Sequence, residues 1–165
     1  MDRLTIENIG GDCVFFRNFA GAPTKYNAAG GKRNFGVLLD PDYARELANE
    51  GWYIRWTKPR TADEEARPYL SVNLKYGGKK PPKVVLVTSK KKTRLDEDLV
   101  HILDLFDRDD ILNIKMRLRP NEWDETGKYG ASAWVEVLYV QVRDDDLEEE
   151  YADIPYDDDH EVPFA

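Results

Sequence analysis

Cysteine, histidine and long apolar runs are scarce in this 165-residue chain, and each scarcity narrows what it can do. The single cysteine, Cys13, cannot form an internal disulfide; it suits a reducing compartment and reads as a buried structural thiol. The two histidines, His101 and His160, have no Cys or His at metal-ligand spacing, so no metal site is expected. There is no GxSxG and no Walker-type loop, and Gly30-Gly31-Lys32 is too short a fragment to cradle a phosphate. The acidic groups Asp96, Glu97, Asp98 and Asp107, Asp109, Asp110 read as helix-start and turn carboxylates rather than Mg²⁺ ligands. An enzyme is therefore not expected, nor is any cofactor. No apolar run approaches the roughly 20 residues of a membrane span, and the start, MDRLTIENIGGD, lacks the apolar core of a signal peptide. The expectation is a soluble, cytoplasmic protein with no membrane partner.

Charge of one sign is missing in three places. From residue 144 to 165 there are 11 acids and no Lys or Arg, leaving residues 1–143 with 21 acids against 24 bases, a formal +3. A tail so charged and so poor in large apolar groups cannot bury enough surface to order itself. Two domains follow: a folded body, 1–143, and a disordered acidic tail, 144–165. In the body, acids are absent between Asp12 and Asp40, where Arg17, Lys25, Lys32 and Arg33 alternate with Phe15, Phe16, Phe19, Tyr26 and Phe35. They are absent again between Glu65 and Asp96, a stretch holding nine bases, among them Lys75, Lys79, Lys80, Lys83, Lys90, Lys91, Lys92 and Arg94. Such segregation in an acid-rich chain implies a surface shaped for a polyanion.

Apolar residues make up 41% of the chain, enough for a core, and their spacing is mostly that of strands. Strand-like segments are DCVFFRNF (12–19), RNFGVLL (33–39), GWYIRWTKP (51–59), YLSVNLKY (69–76), KVVLVTS (83–89), ILNIKMRLR (111–119) and ASAWVEVLYVQV (131–142). NEWDETGKYG between the last two has turn character. Asp40 and Pro41 open a helix that closes on Gly51. A second helix, LDEDLVHILDLF (95–106), is expected to be capped by Thr93 and to bury Leu95, Leu99, Ile102, Leu103 and Phe106. The pattern predicts a mainly β protein, an OB-like Greek-key antiparallel barrel with two inserted helices, because closure removes exposed strand edges.

Alternation assigns faces. Trp52, Ile54 and Trp56 share the core face, leaving Tyr53 and Arg55 outside. Leu70, Val72, Leu74 and Tyr76 point inward, exposing Tyr69, Ser71, Asn73 and Lys75. Leu112, Ile114, Met116 and Leu118 point inward, exposing Asn113, Lys115, Arg117 and Arg119. Cations that follow phosphates, beside rings that stack on unpaired bases, are what a single nucleic-acid strand requires. An ordinary solvated sheet face has a similar composition. Both helices are acidic, so neither suits the major groove of a duplex. The candidate nucleic-acid contacts are Arg17, Phe19, Tyr26, Lys32, Arg33, Tyr53, Arg55, Tyr69, Lys75, Lys90, Lys91, Lys92, Arg94, Lys115 and Arg117.

The tail carries two acidic segments with small apolar knobs, Ile154-Pro155-Tyr156 and Val162-Pro163-Phe164. It resembles the tip of bacterial single-stranded DNA-binding proteins, where an acidic run ends in Ile-Pro-Phe and docks on replication and repair enzymes. Here Ala165 follows Phe164, so the phenylalanine is not terminal. Ile154, Pro155, Tyr156, Pro163 and Phe164 are the candidate partner contacts. RNFAGAPTKYNAAGGKRNFGVLL, GWYIRWTKPR, PPKVVLVTSKKKTRLDED and LRPNEW follow one another within residues 16–142. In their order and spacing they resemble a family of bacteriophage single-stranded DNA-binding proteins of OB-type fold. This likeness implies cooperative or at least sequence-tolerant coating of single-stranded DNA in phage replication or recombination, with replication or recombination proteins as tail partners. Homo-oligomerisation is left open. The alternatives are an acidic interaction factor whose tail mimics DNA and blocks a host nucleic-acid enzyme, and a nuclease or polymerase accessory subunit without chemistry of its own. A DNA mimic has little use for a segregated basic body.

Overall fold

The computed structural model describes residues 1–25, 28–89, 91–107 and 110–143. Nine strands form one curled sheet: β1 (Leu4–Ile9), β2 (Val14–Asn18), β3 (Arg33–Leu38), β4 (Ile54–Trp56), β5 (Pro68–Leu74), β6 (Lys83–Val87), β7 (Lys92–Arg94), β8 (Ile111–Glu125) and β9 (Lys128–Val142). Along the main path the order is β1-β8-β9-β5-β3-β2, with β4 added to β5, and β6 and β7 added beside β9. The two ends of this path, β1 and β2, follow one another in the chain through a single 3₁₀ turn, Gly11–Cys13. Their covalent link draws the sheet's edges together into a half-barrel, the OB-like architecture expected. Most pairings are antiparallel; β9 pairs in parallel with β5 and with β6.

Burial follows the period of two. In β5, Pro68, Leu70, Val72 and Leu74 are buried while Tyr69, Ser71 and Asn73 are less so. Ile114, Met116 and Leu118 of β8 face Val135, Leu138 and Val140 of β9 in the same core. Two bulges shift this phase. The one between Ile111 and Asn113 turns Leu112 out to solvent, correcting its expected place inside. The other sets Arg117 and Leu118 against Val137 and Val135, with Glu136 as the extra residue on β9.

Helix α1 (Pro41–Glu50) is built as its sequence implies. The Asp40 carboxylate accepts from the backbone N–H groups of Asp42 and Tyr43, and Gly51 takes the left-handed conformation, φ 109°. The second helix, Glu97–Asp107, is 3₁₀ rather than α. Three residues per turn align Leu99, Ile102 and Leu105 on one row, beside Leu103 and Phe106, so Leu105 joins the buried set that an α-helical stripe omits. Thr93 does not cap it. Thr93 lies buried within β7 instead. The turn expected at 121–130 is shorter: β8 and β9 continue to Glu125 and Lys128, closed by Thr126-Gly127, both at positive φ as a type I′ hairpin requires. Trp56, expected inside, is 47% exposed at the last position of β4; Trp52 is buried as expected.

Candidate nucleic-acid interface

The outer face of the sheet gathers aromatic rings from strands far apart in sequence. Phe15 of β2 sits opposite Gly36 of β3, and Tyr69 of β5 lies beyond it. A Cβ on Gly36 would stand 3.3 Å from both the Phe15 and Tyr69 rings, so glycine lets the two meet across β3. Their centroids are 5.0 Å apart, edge to face, and Phe16 joins at 4.4 Å from Phe15 and 5.6 Å from Tyr69. Phe16 has φ +50° beside a bulge, an uncommon conformation that leaves its ring 64% exposed.

From this trio the face continues without a break. Arg55 of β4 is the cross-strand neighbour of Tyr69, and its guanidinium lies over the Tyr53 ring at 5.3 Å. Tyr53 meets Trp123 of β8 edge-on at 5.5 Å. Beside this line, Trp134 of β9 sits between Arg119 and Asn73 in register, with the Lys75 ammonium 5.9 Å from its ring centre. Farther along, Tyr139 stands opposite Lys115, and Lys83 lies 6.0 Å over its ring. Strands β2–β5 contain no acidic residue.

Ion pairing divides the cations. Lys115 pairs with Glu7 at 3.7 Å, and Arg117 with Glu136 at 3.5 Å. Arg3 also pairs with Glu136, and Arg94 with Asp96 at 3.0 Å. Among the described residues, Arg55, Lys75, Lys83 and Arg119 make no ion pair. Their charges therefore stand uncompensated beside the rings.

Of the expected contacts, the structure brings Tyr53, Arg55, Tyr69 and Lys75 together on this face. Lys115 and Arg117 share the sheet's outer side, but with carboxylates attached. Lys32 is exposed and Lys91 half-buried, both away from the ring track in sequence. Tyr26, Lys90 and the tail contacts Ile154, Pro155, Tyr156, Pro163 and Phe164 lie outside the described residues.

Four expected contacts are corrected. Phe19 is 0% exposed, stacked on Phe35 with centroids 4.6 Å apart and edge-on to Phe106 at 5.3 Å, so no base can reach it. Arg17 turns inward, donating to the carbonyls of Val14, Phe106 and Gly11 at 3.1, 3.2 and 3.0 Å. Burial pushes its guanidinium below the ordinary pKa, against the opposing pull of Asp107 and Asp110. Arg33 donates to the Phe19 carbonyl at 2.6 Å, and Asp107 accepts from the N–H groups of Phe19 and Ala20. Together these groups pin the chain after β2. Lys92 of β7 is only 6% exposed, its backbone paired with Val87 of β6.

Trp123, Trp134 and Tyr139 are not among the expected contacts, although the sequence holds a signal for the last two. Ala131, Ala133 and Val135 alternate inward, which puts Trp134 outside. The phase then breaks before Leu138, Val140 and Val142, marking the bulge that puts Tyr139 outside as well.

Among the described residues no helix is long and apolar enough to cross a membrane, and no group of three or more His, Cys, Asp or Glu is placed to hold a metal ion. No curated protein matches the chain. A solved structure, the single-stranded DNA-binding protein from bacteriophage Enc34 in a C-terminal truncation, shares the fold. It matches at TM-score 0.52 over 87% of each chain, with 11% identity. The family model described as "Putative phage ssDNA-binding domain" matches residues 2–163. With nearly its whole length matched, the chain belongs to this family of phage single-stranded DNA-binding domains.

Proposed function

We propose that the protein binds single-stranded DNA with little regard to sequence, along the track running from Phe16 and Tyr69 through Arg55 and Tyr53 to Trp123 and Trp134. The observation that carries this reading is the combination of stacked or exposed rings with unpaired Arg55, Lys75, Lys83 and Arg119 on an acid-poor face. Every base has a π-face and every nucleotide a phosphate, so such a surface grips a strand without reading it. Duplex DNA hides its bases from the rings. The protein acts in phage DNA replication or recombination, in the cytoplasm of the bacterial host, without catalysis of its own. Residues 1–143 hold the DNA, and the acidic tail, 144–165, recruits replication or recombination proteins through its apolar knobs.

Intrinsic fluorescence tests the track. Two of the four tryptophans, Trp123 and Trp134, lie on it, whereas Trp52 is buried. Oligo-dT should quench the wild-type emission, and Trp134→Phe should remove a large part of that quenching. Full quenching in a variant lacking both Trp123 and Trp134 would place the DNA elsewhere.

A further inference from the structure

The β8–β9 hairpin outruns the body it belongs to. Its last backbone contacts with the rest of the sheet are at Ala131, which donates to the Gly51 carbonyl and accepts from the Tyr53 N–H, each at 2.9 Å. Beyond that rung the two strands pair only with each other, as far as Glu125 and Lys128. At about 3.3 Å per residue the arm extends roughly 13 Å past the body. On its outer side Trp123 lies across Gly130 and meets Tyr53, as part of the DNA track. The other side continues the core face past the end of the core. Register places Glu122, Asp124 and Tyr129 there, and Tyr129 is 79% exposed, the most exposed large apolar side chain described.

Glu122, at the last rung, is answered by the Met1 ammonium at 3.9 Å; beyond it Asp124 and Glu125 against Lys128 leave the tip a formal charge of −1, which repels phosphates. The chain itself carries the complement. The β5–β6 loop, GGKKPP (77–82), has two lysines, two prolines and no acid, and residues 77–81 are exposed. Lys79, Lys80, Asp124 and Glu125 make no ion pair among the described residues of a single chain. We propose that the arm tip of one copy docks on the β5–β6 lysine loop of a second copy bound to the same strand. Tyr129 packs on the exposed Pro81 while the tip acids meet Lys79 and Lys80. Unlike patches meet, so the contact is head-to-tail and repeats along DNA rather than closing into a pair. This rests on the single-strand reading of the outer face.

The test compares poly-dT with an oligo-dT long enough for one protein, using charge reversals Asp124→Lys/Glu125→Lys in the arm and Lys79→Glu/Lys80→Glu in the loop. Each reversal should lower cooperativity on poly-dT about tenfold, the size of a few exposed ion pairs acting together. Mixing the arm-reversed and loop-reversed proteins should restore it. Tyr129→Ala should lower cooperativity while leaving the short oligonucleotide's affinity unchanged; a drop there would make Tyr129 a DNA contact and overturn the proposal. Non-cooperative wild-type binding, or no restoration on mixing, would also overturn it. Sedimentation of concentrated protein without DNA gives an independent reading, with self-association expected in the wild type and in the mixture but in neither variant alone. Failure of the wild type to bind short oligo-dT would instead remove the single-strand reading, leaving sedimentation to judge the arm.

Discussion

Arg55 lies over the Tyr53 ring at 5.3 Å, held by strand β4 next to Tyr69, so one cation serves two rings on the outer face. The arrangement presents a phosphate contact and two stacking surfaces within one cross-strand neighbourhood. Replacing Tyr53 or Tyr69 with Ala should each cost about 1–3 kcal/mol of oligo-dT binding while leaving the melting temperature nearly unchanged. Phe19→Ala should do the reverse, losing about 3–5 kcal/mol of stability with DNA affinity kept by the folded fraction. Melts and titrations on the same samples separate the two. Early melting with normal binding in the tyrosine variants would mean the faces are misassigned.

Salt dependence should distinguish paired from unpaired cations. Lys75→Ala and Arg119→Ala should each flatten the log-affinity slope by roughly 0.7, the value for one phosphate of a single strand. Lys115→Ala and Arg117→Ala should flatten it less, because Glu7 and Glu136 already answer those charges. Glu136→Gln should tighten binding at low salt by freeing Arg3 and Arg117. Equal slopes for all four cation variants would count against the division.

Much of this could be read from the residues alone, and the misses have physical causes. The Asp40 cap, the Gly51 stop and the inward set of β5 follow local rules that tertiary packing did not override. Phe19, Arg17 and Arg33 misled because an acid-free, aromatic segment looks the same whether its rings stack on bases or on Phe35 and Phe106. Only tertiary structure shows the Arg17 guanidinium turned toward three carbonyls. Leu112 departs from the alternation because a bulge shifts a strand's phase without a marker of its own in the sequence. Trp134 was legible in the β9 alternation, whereas the meeting of Phe15 with Tyr69 over Gly36 required the sheet order.

Alkaline pH should weaken the fold through Tyr76. Its hydroxyl donates to the Leu95 carbonyl at 2.8 Å, and burial, the dominant cause, pushes its pKa well above the ordinary 10.0. A raised folded-state pKa gives stability that is full below about pH 10 and lost as pH climbs from there toward the folded value. Tyr76→Phe should cost about 1 kcal/mol at neutral pH for the lost hydrogen bond and show a shallower decline above pH 10. Parallel pH–melting curves for the two proteins would contradict this.

The acidic tail should oppose DNA binding at low ionic strength. Removing residues 144–165 deletes 11 acids and leaves a +3 body. Affinity should rise, most of all where the Debye length is about 10 Å or more, and the gain should fade near 1 M salt. Deleting 162–165 alone removes no charged side chain and should barely alter DNA affinity, while weakening partner binding through Phe164. Unchanged affinity after full truncation at low salt would mean the tail ignores the DNA site.

The most direct measurement is a competition between one labelled oligo-dT and unlabelled single-stranded and duplex DNA of the same length, at fixed salt. Rings that stack on unpaired bases can engage only the single strand. Single strands of varied sequence should therefore displace the label at similar concentrations, and the duplex should need far more. Displacement by duplex at equal or lower concentration would contradict an interface built from Tyr53, Tyr69, Trp123 and Trp134.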